Sequence, residues 1–74
     1  MRTTMLNTYD IIFEVPQADL KIVFHYQDNE LESVKHIHRF NMIFTEVNDD
    51  TRLDWECERS TLTASLGYRT EVIK

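Results

Sequence analysis

The chain has one cysteine, one glycine and one proline in 74 residues. Each scarcity excludes something. A lone Cys57 rules out an internal disulfide and a four-thiolate zinc site. It also fits a reducing compartment, where disulfides are rare. A single Gly67 and a single Pro16 are too few for a flexible or proline-rich linker, and an aromatic content of 11% speaks against disorder. The reading is one small folded domain over residues 1–74, with no repeat and no internal boundary. No stretch approaches 18 apolar residues, so no membrane-spanning segment is expected. Residues 1–8 carry one basic residue and no apolar run behind it, which predicts no signal peptide. A cytoplasmic location is the expectation.

Positive charge is also scarce. Eight Lys and Arg stand against 13 Asp and Glu, a formal net charge of -5. Such a surface repels nucleic acid and anionic lipid and favours basic partners. It also simply keeps a small domain in solution. Neither nucleic acid nor membrane is expected as a partner. A chain this short buries only about 60–65% of its unfolded surface, so its stability is thin.

What the sequence does have is period-two alternation. Tyr9, Ile11, Phe13 and Val15 form one apolar row, and Leu20, Ile22, Phe24 and Tyr26 a second. Phe40, Met42 and Phe44 form a third, Leu53, Trp55 and Cys57 a fourth, and Leu62, Ala64, Leu66 and Tyr68 a fifth. Rows of this kind suit half-buried strands. A four-residue loop at Pro16–Asp19 opposes Val15 to Leu20, Phe13 to Ile22, Ile11 to Phe24 and Tyr9 to Tyr26, with Glu14 beside Lys21 and Asp10 beside His25 outside. Two-residue turns at Asn48–Asp49 and Arg59–Ser60 match the later rows in the same way.

Residues 29–39 favour a helix between the second and third strands. Asn29 and Glu32 have capping-box spacing, acids precede bases as the helix dipole prefers, and Leu31, Val34, Ile37 and His38 share a broad face. The expected fold is therefore α+β, a five-stranded antiparallel meander with one helix. The alternative is all-β, a small curled sheet or barrel. In that version residues 32–47 form one long strand that opposes Phe24 to Val34, Ile22 to His36 and Leu20 to His38. Ile12, Val23, Ile43 and Val47 project from the outer face in the five-strand reading, and two open edges invite dimerisation.

Few residues suggest chemistry. His36 and His38 would chelate a metal on a strand but point apart on a helix, so no metal site is expected. Cys57 reads as a small core residue beside Phe40 and Leu62 rather than a nucleophile. No phosphate loop, nucleophilic triad or HExxH is present, and neither a catalytic residue nor a cofactor is predicted. The basic and aromatic stretch His36–Phe40 holds too little fixed charge for nucleic acid.

The acidic set Asp49, Asp50, Asp54, Glu56 and Glu58, flanked by Arg52, is the most unusual feature. On a strand, Asp54, Glu56 and Glu58 would stand about 7 Å apart on one face, close to the phosphate repeat of a nucleic-acid strand. The leading functional expectation is a small acidic binding module, an inhibitor or adaptor of the phage or mobile-element kind. It would dock this face on a larger basic protein, such as one that itself binds nucleic acid. The second is a non-catalytic structural subunit or homodimer. The third is a small metal protein or enzyme using His25, His36, His38 or Cys57.

Overall fold

Four strands run as an antiparallel meander in the computed structural model, which describes residues 7–72. They are β1 (Thr8–Val15), β2 (Leu20–Gln27), β3 (Glu30–His38) and β4 (Asn41–Glu46). A helix, α1 (Arg52–Leu66), follows, and a short strand, β5 (Arg69–Val72), returns to the free side of β1. The sheet order is β4-β3-β2-β1-β5. Residues 1–6, most of the segment read for a leader, lie outside the described residues, as do 73–74.

The first hairpin pairs as its alternation predicts: Val15 opposes Leu20, Phe13 opposes Ile22, Ile11 opposes Phe24 and Tyr9 opposes Tyr26. Pro16 opens a single 3-10 turn, and Asp19 ends it with φ of 50°. Its backbone N–H bonds the Pro16 carbonyl at 3.2 Å.

The helix expected over 29–39 is instead a strand. Asp28 and Asn29 both take positive φ, 51° and 66°, the geometry of a two-residue hairpin turn that Asn and Asp tolerate. The register then shifts between His25 and Tyr26, leaving Glu32 as an extra residue in β3. The bulge explains the misleading pattern. It sets the fully buried Leu31 and Val34 three residues apart on one sheet face, a spacing that imitates a helix. Beyond the bulge the pairing is that of the all-β alternative: Phe24 with Val34, Ile22 with His36, Leu20 with His38. The long strand 32–47 of that alternative does not form, because the chain reverses at Arg39, φ 56°, and Phe40.

The fourth and fifth expected strands are one helix. Asn48 opens the turn that leads into the helix and is not a hairpin turn. Its side-chain Oδ1 accepts the N–H groups of Asp50 and Thr51 at 3.0 and 3.1 Å, and Thr51 Oγ1 accepts the Asn48 N–H at 3.2 Å. That reciprocal exchange satisfies the donors just ahead of the helix and sets its starting direction. Gly67, with φ of 72°, stops the helix, and its N–H bonds the Thr63 carbonyl at 3.1 Å. Arg52, Trp55, Glu56, Arg59, Leu62 and Thr63 recur at helical spacing and are the part-buried residues of α1 along with the cap Thr51.

The core lies between α1 and one sheet face. It holds Ile11, Phe13, Ile22, Phe24, Tyr26, Leu31, Val34 and Val47, with Trp55 and Leu62 packed on it from the helix. Phe24 meets Phe13 and Trp55 edge-on, at ring separations of 5.6 and 6.4 Å. Val47 belongs to this core, and Ile43 stands on the same face opposite His36, so neither projects outward as expected. Met42 and Phe44 are on the outer face, the reverse of their expected placement. A one-residue change of register exchanges faces for a whole strand. Ile12 and Val23 do sit on the outer face, and both are buried. No described helix or strand layers over them. Their register neighbours Arg69 and Lys35 are long side chains whose stems can shield them.

Candidate functional site: the exposed β3–β4 hairpin

α1 serves the two halves of the sheet unequally. Tyr26 donates its hydroxyl to Glu56 Oε1 at 2.7 Å, and Arg59 Nε donates to the same oxygen at 3.1 Å. Burial, and then this carboxylate, push the Tyr26 hydroxyl well above the ordinary range for a phenol. Tyr9 stacks on Tyr26 at 5.0 Å with nearly parallel rings. Tyr68, just past the helix, leans on Phe13 at 6.0 Å. At its start, Arg52 donates through Nε to the Leu31 carbonyl at 3.1 Å and pairs with Asp49 and Glu30. These anchors hold α1 over β1, β2 and the beginning of β3. Trp55 reaches no farther across the sheet than His36, 6.1 Å between rings.

The far end of β3 is only half-buried, and β4 is exposed except at Thr45. Phe40, at the turn, is fully exposed. Ile43 is 65% exposed, Met42 59% and Phe44 55%, although all three are in a strand where one face is normally covered. β4 is therefore apolar on both faces. Its backbone is also open on one side. The Val47 N–H bonds the Glu32 carbonyl at 2.9 Å. Alternation along an antiparallel ladder then turns residues 41, 43 and 45 toward β3, and the N–H and C=O groups of Met42, Phe44 and Glu46 toward solvent. An open edge of this kind can accept another strand. Two fixed positive charges lie behind it: Lys35 is on β3, and Arg39 at the turn pairs with Asp19 at 3.4 Å.

The acidic residues singled out in the sequence do not form a strand face. All five, with Arg52, fall in the turn just before α1 or in its first half. Asp54 stands in the first turn, and Asp49 and Asp50 just ahead of it, where the helix dipole favours negative charge. Arg52 is engaged by Asp49, and Glu56 is held by Tyr26 and Arg59. Asp50, Asp54 and Glu58, spaced by four, remain exposed and without an ion pair among the described residues. Cys57 is an exposed helix residue and not the core residue expected. His36 and His38 do share a strand face, but among the described residues no three His, Cys, Asp or Glu side chains gather where they could hold a metal ion. His25 lies on the other face, its Nδ1 2.7 Å from Asp10.

One open depression, of about 330 Å³, lies between the first loop and the hairpin turn, among Leu20, Lys21, Ile37 and Arg39. Another, of about 290 Å³, lies by Gly67 and Tyr68. Neither gathers a set of side chains with evident chemistry. Among the described residues no buried side-chain polar atom lacks a partner, and no helix is long and apolar enough to cross a membrane.

Sequence reasoning missed the hairpin because it placed Phe40, Met42 and Phe44 inside. A signal was available: Met42, Ile43 and Phe44 are consecutive apolar residues, and a strand with one covered face alternates. No family model matches the chain, no curated protein matches its sequence and no solved structure matches its fold.

Proposed function

We propose that the protein acts by binding, without catalysis, and that the β3–β4 hairpin is its binding element. The observation that carries this reading is the concentration of exposed apolar side chains, Phe40, Met42, Ile43 and Phe44, beside an unpaired strand edge. Contiguous apolar surface of this kind marks interaction sites. Strand addition draws affinity from the free main-chain groups and specificity from the alternating side chains. The module is an adaptor or subunit working in a reducing cytoplasm, to which its one free thiol is suited.

The test is a nitrogen-15 spectrum of the labelled chain, recorded on dilution and in extract of the cells that make it. Shifts and broadening confined to residues 39–46 support the reading. A second reading, an acidic module for a basic partner, rests on Asp50, Asp54 and Glu58 along α1. It requires the changes to centre on residues 50–58. Reversal of those three charges would then abolish them at physiological salt.

A further inference from the structure

We infer that the occupant of the β4 edge is a second copy of this chain, paired antiparallel about a two-fold axis at Ile43. This rests on the reading of the hairpin as a binding element and names its partner.

β4 is its own complement. In a two-fold pair each residue meets its counterpart symmetrically, and only the residue on the axis meets itself. With Ile43 there, Met42 lies opposite the partner's Phe44, and Phe44 opposite the partner's Met42. These are the residues whose N–H and C=O groups face outward, so each pairing makes two main-chain hydrogen bonds. The same pairing sets Met42 against an aromatic ring on the outer face and Ile43 against itself on the helix side. Asn41 falls opposite the partner's Thr45. No like charges are opposed.

Charge favours this register. The only formal charge in β4 is Glu46. It arrives at the partner's Phe40, beside the partner's Arg39, where the sign is opposite. Shifting the axis to Phe44 would place Glu46 against the partner's Met42 and lose that proximity. Lys35 on β3 lies one strand farther back. Across two copies the two lysines are separated by three strand spacings, about 14 Å, beyond the screening length in physiological salt.

The four exposed side chains present on the order of 500 Å² per copy, given their fractional exposures. If all of it were covered in both copies, at most about 1,000 Å² would be removed, the lower bound for a specific interface. That size predicts a reversible dimer rather than a permanent one.

The test is sedimentation equilibrium of the full chain from about 1 to 500 µM, the range in which a small interface of this kind titrates. Wild type is expected to rise from the 8.9 kDa chain mass toward twice that value. Ile43→Lys and Ile43→Glu, each alone, are expected to weaken association roughly a hundredfold, the scale of like charges opposed at an interface. Their equimolar mixture is expected to dimerise again, because on the axis the two substituted residues face each other. Ile43 is exposed, so at high dilution, where wild type is a single chain, both variants should keep its urea midpoint, which shows that they remain folded. Wild type held at the single-chain mass throughout overturns the inference, and the spectrum in cell extract then decides the hairpin reading separately. A dimer indifferent to both substitutions places the contact elsewhere and overturns it too. A mixture that stays monomeric overturns the axis at Ile43.

Discussion

The two edges of the sheet are built on opposite plans. β5 is four residues long and carries Arg69 and Glu71. Arg69 reaches Glu14 at 3.0 Å and Glu71 at 3.3 Å, so the edge is short, charged and tied to its neighbour. Proteins use short strands and charges of this kind to keep an edge from recruiting other strands. β4 has six residues and neither lysine, proline nor bulge. It offers unpaired amides flanked by Met42, Ile43 and Phe44. One molecule thus has one guarded edge and one unguarded edge, and α1 is latched over the guarded half. Where protection is present at one edge and missing at the other, the unguarded edge is the place to look for function.

The sharpest way to break this comparison uses one residue type in both halves. Phe24 is fully buried beneath α1, and Phe24→Ala should cost about 3–5 kcal/mol in urea unfolding. Phe44→Ala, measured at high dilution, should stay within about 0.5 kcal/mol of wild type. Equal losses would mean that the β4 half is covered after all.

Next in size is the latch. Tyr26→Phe removes the hydroxyl that binds Glu56 and should cost about 1–2 kcal/mol. The raised Tyr26 value also has a pH consequence. An unfolded tyrosine ionises near pH 10, about its ordinary value. The folded one keeps its proton to higher pH, so above that point the unfolded state binds fewer protons and stability falls as pH rises. The contribution is fully present below about pH 10. An alkaline urea series should show this loss in wild type and a shallower one in Tyr26→Phe.

Asn48→Ala should cost about 1 kcal/mol, because it removes the acceptor of two N–H groups in the turn that leads into α1. Circular dichroism should show fraying at the helix start and little change in the sheet. The smallest effect is at the guarded edge. Arg69→Ala should cost about 0.5 kcal/mol or less, since its partners are exposed and screened by water. Its informative readout is association: any new self-association through β5 would show that Arg69 had been guarding it.

One hairpin of the sheet was legible in the residues. The first hairpin has a simple loop and two uninterrupted alternating rows, so apolar matching allows one register. The rest was obscured by two ambiguities of period. In β3, the bulge at Glu32 converts a spacing of two into three. From 53 to 66, Leu53, Trp55, Cys57, Leu62, Ala64 and Leu66 fit alternation as well as they fit a helix with one covered side. The tie-breakers were local and present. Asp28–Asn29 is the better hairpin turn, Asn48 with Thr51 the better lead into a helix, and Gly67 stands just past the helix end. The acidic residues were visible from the start, but their arrangement was not. Helical geometry turns Glu56 toward Tyr26 while Asp54 and Glu58 stay exposed.

The sequence by itself determined the composition of the surface, the pairing of β1 with β2 and the residues able to build a core, because these depend on local alternation and charge. Only the tertiary structure decided which segment is the helix, which half of the sheet that helix covers and which edge stays open. Those outcomes follow from a competition for a single apolar face. A short helix carrying Trp55 and Leu62 can cover only part of a five-stranded sheet. It settles where Tyr26, Leu31 and Phe24 hold it, and β4 is left outside.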